Sequence, residues 1–498
     1  MFTSAAMGIL VDQGKLQWQD PVQKYLPDFC PIGDPQIGQS ADIIDLLRHS
    51  TGLGNIGPLC LGPGATILMD EDDMIPLLNM ASTANKRGQR FNREWGYNNI
   101  AYGIVARVIE KVSGQRFDQF VQQHILLPLG MDRTMLRTAD VEMDDNVAIP
   151  CVALGNGQYV ELTSQSWPCE NNSPLLAATG IRSSMNDMLK WCMAVLSAER
   201  EEQSIVKGEK PVGVSTTLQK ACISNKNPLK QMTRIRRGYW TRPADDPSTS
   251  KDAAYCMGWI RMSLPSSMLG AFSGNGLTRE KGRQLHVKPD FILGKGSDPF
   301  LTIGHSGGMA GSLATVWTFP KSQSAVIVMA NGRSFGDATD FVSQILIQAL
   351  FELKPEVDLV PWVAIETNLA QSYFVDRLLM PWAKNRCLDD IKRTSSLYVG
   401  HYQGFGDLFT LEIGADENGE LSVIFNNRQT TRCPLVFFRT DVYSFFIEDR
   451  DTWMTRAIFA KSYEDTLLEF ELDKNLENVT GLWWLWNPDE ERGWFKKV

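Results

Sequence analysis

The chain has 498 residues, 43% hydrophobic and 21% charged, with a formal net charge of −9, which predicts a globular protein with a sizeable core and two domains. Charge comes in no long run and no apolar run reaches the ~20 residues of a membrane span, which excludes nucleic acid as the main partner and a membrane anchor within these residues. Nine scattered cysteines without Cys-x-x-Cys and five dispersed histidines exclude a disulfide framework, a zinc ribbon and a His-rich metal site, so no metal or cofactor is expected and a reducing, cytoplasmic setting fits.

The first predicted element is an amphipathic helix with Phe2, Ala6, Ile9 and Leu10 on one face and Gly14 as its stop. It carries no capping residue. Asp20-Pro21-Val22 to Pro27 reads as a turn and a short helix. Ser40 is the expected N-cap of the next helix, with Asp42 favouring the positive end of its dipole and Gly52 punctuating its end. His49, at the end of that apolar helix, is read as structural rather than as a base. Residues 54–90 are loop-rich, with one short helix around Asp73–Met80.

Trp95-Gly96-Tyr97-Asn98-Asn99 then precedes Ile100, Ile104, Val108, Ile109 and Val112, a helical stripe ending at Gly114. A phenol at Tyr97 and a carboxamide at Asn99 thus stand in a turn held by a helix start, where both can face a cleft. Read alone, Tyr97 is a half-buried aromatic and Asn99 an N-cap. A helix over Arg116–Leu126 is broken by Pro128, and Ser184–Asp187 opens a helix over Met188–Ser197. Residues 199–253 read as a charged, partly mobile surface insertion, followed by a strand over Tyr255–Met262.

Gly304-His305-Ser306-Gly307-Gly308 leads into strands at Leu313–Phe319 and Ala325–Ala330, then a helix over Thr339–Leu353 ended by Lys354-Pro355. The reading is therefore α+β: a domain of residues 1–355 with an antiparallel sheet and flanking helices, a helical connector over 356–395, and a small all-β barrel over 396–498. Alternating Leu411, Ile413, Leu421, Val423 and Phe425 around Asn418-Gly419 carries the barrel. Trp483, Trp484 and Trp486 are read as its core and rim. Residues 1–355 are expected to hold a core of their own.

The collinear order of the Phe2–Gly14 helix, Leu46-Leu47-Arg48-His49-Ser50-Thr51-Gly52-Leu53, Tyr97-Asn98-Asn99, Ser183-Ser184, Met257-Gly258-Trp259, Gly304-His305-Ser306-Gly307 and Ala330-Asn331-Gly332 resembles the serine β-lactamase and penicillin-binding-protein-like family. Within it the class C β-lactamase, D-aminopeptidase and esterase branch matches best, together with fungal β-lactamase-type acyltransferases and hydrolases of secondary metabolism. The resemblance implies a β-lactamase/transpeptidase-like fold and a Ser-x-x-Lys nucleophile that forms an acyl-enzyme. It assigns Tyr97 to proton transfer, Asn99 to substrate binding and His305 to the strand closing the site. Gly307 becomes the small residue admitting substrate, and the Gly308 N–H an oxyanion donor. The family's lysine and, if protonated, His305 are the candidates for lowering the Tyr97 pKa.

The resemblance places Ser-x-x-Lys directly before the position of Met1, so the nucleophile is expected in sequence ahead of this chain. The Ser204–Lys207 match lies after Tyr97 in the charged insertion, and a pattern of two fixed residues recurs by chance at this length. Three readings stay open: a serine hydrolase or acyltransferase on a small-molecule ester, thioester or amide, with an acyl carrier as a further partner; a non-catalytic binding protein; and a non-covalent lyase or isomerase using Tyr97 and His305.

Overall fold

The computed structural model describes residues 1–498 apart from 84–90, 163–171, 209–226, 242–252, 267–268, 271–272, 276–291 and 459. Helix α1 (Phe2–Asp12) is buried at every position from Phe2 to Leu10. It is a central core rod, not the one-sided amphipathic helix expected. Its polar Thr3 is accommodated because the hydroxyl donates to the Ala177 carbonyl at 2.6 Å. Helix α2 (Ile43–Leu47) is capped by Asp42 and not by Ser40: Asp42 and Asp45 exchange side-chain and backbone hydrogen bonds in a capping box.

Helix α3 (Ile100–Ser113) buries the predicted apolar stripe and ends at Gly114, whose φ of 72° suits a residue without Cβ. Pro128 does not break the helix before it. Phe117–Val121 passes through a π turn over Gln122–Leu126 into Leu127–Leu129, and Pro128 lies within that last short turn. The wider π turn leaves no N–H required at the proline. Helix α4 (Met185–Val206) starts where Ser184 accepts the Asp187 N–H, but it runs past Ser197. The insertion is not all surface: Met232, Ile235 and Arg236 are fully buried. Residues 209–226 and 242–252 of that insertion lie outside the described residues.

A small sheet joins β1 (Cys151–Ala153), β2 (Tyr159–Glu161) and β9 (Gly332–Arg333) in the order β2-β1-β9. The main sheet is a six-stranded antiparallel meander of β3 (Trp240–Thr241), β4 (Ala254–Tyr255), β5 (Ile260–Leu264), β6 (Phe300–Met309), β7 (Ser312–Phe319) and β8 (Ser324–Ala330). The single strand expected over Tyr255–Met262 is two strands, interrupted at Gly258, whose φ is +78°. A Cβ there would lie 3.0 Å from the Tyr102 hydroxyl and 3.1 Å from Ser4 Oγ, so only glycine lets this turn cross the top of α1 and α3.

Helix α5 (Ala338–Phe351) packs across β7 and β8, capped by Asp337, which accepts the N–H groups of Thr339 and Asp340. Helix α6 (Val360–Tyr373), a π turn and Met380–Asn385 form the connector. Eight antiparallel strands, from β10 (Gly400–Gly404) to β17 (Gly493–Lys497), close a barrel in which β10 pairs with β17. Trp484 and Trp486 are buried in it, 5% and 3% exposed. The α+β reading with a terminal barrel holds. One continuous apolar core runs from α1 through α3 into the barrel.

Candidate active site

The turn before α3 is fixed from behind by the segment after α2. His49, itself at a φ of 63°, accepts the Asn98 N–H on Nδ1 at 3.2 Å and offers its carbonyl to the Gly96 N–H at 3.0 Å. The buried Asn98 side chain accepts the Ile100 N–H at 3.0 Å and donates to the Leu53 and Gly54 carbonyls at 3.3 and 3.1 Å. It is Asn98, not Asn99, that caps α3. Asn99 makes no side-chain cap bond and lines the cleft instead.

The cleft has a volume of about 830 Å³, within the range of small-molecule sites. Tyr97, Asn99, His305, Gly307 and Gly308 all line it, so every predicted site residue is brought to this one cleft. The pairing of β6 with β5 stops at Ile260–Gly304, whereas its pairing with β7 continues to Met309–Ser312. Residues 305–309 therefore present an open strand edge. A Cβ built on Gly307 meets nothing within 4 Å, so this glycine keeps space in the cleft rather than relieving packing. Farther out the wall is apolar, with Met135, Val141, Ile181, Met309 and Leu313, and carries Arg133, paired to Asp144 at 2.5 Å.

Behind Tyr97 the aromatic rings are packed together. Its ring centroid lies 4.4 Å from His49 and 6.3 Å from His305. Tyr97 is 41% exposed, yet the protein around its phenol replaces enough water to push its pKa up to about 12. Burial pushes His305 down to about 4 and His49 down to about 3. Both shifts favour the neutral imidazole near neutrality, so His305 is not the cation that would lower the Tyr97 pKa. The role read for His49 agrees with its burial at 1% exposure and with both ring nitrogens lying in hydrogen bonds.

Tyr255 is the site residue that sequence reasoning missed. Its hydroxyl lies 3.1 Å from His49 Nε2 and 3.2 Å from His305 Nε2, at 1% exposure. The available signal was its place two residues before Met257-Gly258-Trp259. Among the described residues lining the cleft there is no lysine. Ser204 stands near the end of α4, 7% exposed, and does not line it. Among the described residues, no group of three or more His, Cys, Asp or Glu is placed to hold a metal ion, and no helix is long and apolar enough to cross a membrane.

A family model described as Beta-lactamase matches residues 1–348. The chain belongs to the beta-lactamase family of serine hydrolases. An unguisins hydrolase, ungD, of Aspergillus violaceofuscus (strain CBS 115571) is 25% identical over 467 residues, covering 88% of this chain and 70% of that protein. The putative penicillin-binding protein PbpX of Bacillus subtilis (strain 168) is 34% identical over 123 residues, 24% of this chain and 27% of the relative. The D-alanyl-D-alanine-carboxypeptidase/endopeptidase AmpH of Escherichia coli (strain K12) is 22% identical over 204 residues, 41% of this chain. The matched region spans 49% of AmpH, so these bacterial beta-lactamase-family relatives are matched over less than half of their length. Among solved structures, the octameric penicillin-binding protein homologue from Pyrococcus abyssi aligns with a TM-score of 0.49 at 16% identity, covering 99% of this chain and 86% of that one.

Proposed function

We propose that the cleft hydrolyses an ester, thioester or amide bond of a mid-sized, largely apolar small molecule. One observation carries this reading: Tyr97, Asn99, His305, Gly307 and Gly308 converge on one cleft of about 830 Å³. An extended acyl substrate would pair with the open edge of β6 as an added strand does. Its carbonyl oxygen would accept from the Gly308 N–H, and the Asn99 carboxamide would hold its flank. With a serine attacking the carbonyl carbon as in the family, Tyr97 would take the serine's proton while giving its own to the leaving group, and would relay a proton from the attacking water back to the serine as the acid is released. Similarity to an unguisins hydrolase over 88% of this chain supports hydrolysis over transfer. That relative's fungal source supports a role in secondary metabolism.

A second reading has its own observation: no lysine is found among the described lining residues, which suits a protein that binds an acyl compound without attacking it. One experiment separates them. Single-turnover kinetics of the protein with p-nitrophenyl esters and p-nitroanilides should show product release. Tyr97→Phe should lower the acylation rate by about 10²–10⁴-fold with binding little changed, since general acid–base groups contribute that much. Asn99→Ala should weaken binding instead. Binding without product in the wild type selects the second reading. An unaltered rate in Tyr97→Phe removes Tyr97 from the chemistry.

A further inference from the structure

Along the cleft wall runs a chain of hydrogen bonds in which the backbone sets the tautomer of each histidine. The Asn98 N–H can only donate, and it lies 3.2 Å from His49 Nδ1, so that nitrogen is bare. The Ser306 carbonyl can only accept, and it lies 2.5 Å from His305 Nδ1, so that nitrogen carries a proton. Burial keeps both rings neutral, which leaves each with one N–H. His49 therefore donates from Nε2 to the Tyr255 hydroxyl at 3.1 Å. His305 presents a bare Nε2, and the Tyr255 hydroxyl donates to it at 3.2 Å. The neighbouring Tyr102 hydroxyl donates to the Leu47 carbonyl at 2.9 Å.

We propose that Tyr255 is a positioning residue that occupies the Nε2 lone pair of His305, whose Nδ1–H form the Ser306 carbonyl fixes, so that Tyr97 and not His305 exchanges protons with substrate. The part concerning substrate rests on the hydrolase reading; the proton arrangement does not. His49 is the anchor of this device, because its own tautomer, set by the Asn98 backbone, turns the Tyr255 hydroxyl toward His305. The result is a directed line of four hydrogen bonds from the turn that carries Tyr97 to the strand that carries Gly307. It also explains why a tyrosine buried at 1% exposure stands against two histidines: between one donor and one acceptor, a hydroxyl satisfies both.

The test is long-range ¹H–¹⁵N correlation of the imidazoles at pH 7 in the substrate-free protein, with His49→Gln and His305→Gln used for assignment. The expected result is opposite tautomers, Nε2–H at His49 and Nδ1–H at His305. An exchange-protected tyrosine hydroxyl proton should correlate with His305 Nε2. In Tyr255→Phe, the His305 Nε2 ¹⁵N resonance should shift as it loses its donor, while Nδ1 keeps its proton and His124 and His401 keep their signals. A wild-type His305 bearing Nε2–H, a doubly protonated His305, or no hydroxyl correlation would overturn the proposal even if Tyr255→Phe failed to fold. An unchanged His305 Nε2 ¹⁵N resonance in a folded Tyr255→Phe would overturn it as well. No substrate is used, so failure of the hydrolase reading and failure of this one are told apart.

Discussion

Asn98 accepts the Ile100 N–H and donates to two buried carbonyls, while its neighbour Asn99 faces the cleft without capping α3. Replacing a capping asparagine by alanine costs about 1 kcal/mol, and leaving buried carbonyls unpaired adds about 1–3 kcal/mol. Asn98→Ala should therefore lower unfolding stability by about 2–4 kcal/mol in urea titrations. Asn99→Ala should stay within about 0.5 kcal/mol of wild type, as a substitution away from such features does. Equal losses in the two variants would refute the division of labour. Gly307 gives a companion case. A Cβ at that position meets nothing within 4 Å, so Gly307→Val should fold with wild-type stability yet fill the cleft and abolish substrate binding. Binding at wild-type strength would move the substrate away from β6. Tyr97, Asn99 and His305 were legible because each belongs to a short motif beside a strongly periodic element. Tyr255 was missed because its partners His49 and His305 are 206 and 50 positions away, and its place before Met257-Gly258-Trp259 marks a position without encoding a hydroxyl set between two rings.

Among the elements, those with a clean apolar period were read well and those carrying buried charge were not. Helix α3 buries Ile100, Ile104, Val108 and Ile109 on schedule. Helix α4 was read too short because Glu199–Glu202 looks like the start of a solvated segment, whereas Glu199 is 3% exposed. Its carboxylate meets Arg236 Nη1 at 2.7 Å, and the guanidinium also donates to Thr318 Oγ1 and stacks 4.8 Å from the Trp259 ring. The pair ties α4 to the β7 face of the main sheet through a residue that reads as surface in sequence. Removing one member of a buried pair leaves an uncompensated charge and costs about 3–5 kcal/mol, while replacing both by apolar groups is often neutral. Glu199→Ala should therefore destabilise strongly, and Glu199→Leu with Arg236→Met should recover most of the loss. A double variant as unstable as Glu199→Ala in thermal unfolding would mean that the site cannot be repacked and that the pair has a further role.

For the whole molecule, the barrel was legible from alternation and from Asn418-Gly419, but its seat on the rest of the chain was not. The Asn426 side chain donates to the Leu68 carbonyl, and the Gly155 N–H donates to Asp451. The contact nearest the site is the loop before β17. Asn487 donates to the Asn55 carbonyl at 3.0 Å, and Glu490 accepts the Asn55 N–H at 2.9 Å. Asn55 follows the Gly54 carbonyl that Asn98 holds, so the barrel bears on the turn of Tyr97 through two residues. Glu490 is 2% exposed, and burial, ahead of any neighbouring charge, pushes its pKa up to about 7. An acid raised in this way keeps its proton in the folded protein after the unfolded chain has lost it. Stability must then fall as pH rises from the ordinary glutamate range, about 4.3, to about 7, and level off above; the total loss from this group is at most about 4 kcal/mol. Glu490→Gln keeps an acceptor for the Asn55 N–H without the charge, so its advantage over wild type in urea unfolding should grow between pH 5 and pH 8. A constant difference across that range would show that the barrel is seated by apolar packing alone and that Glu490 does not ionise in place.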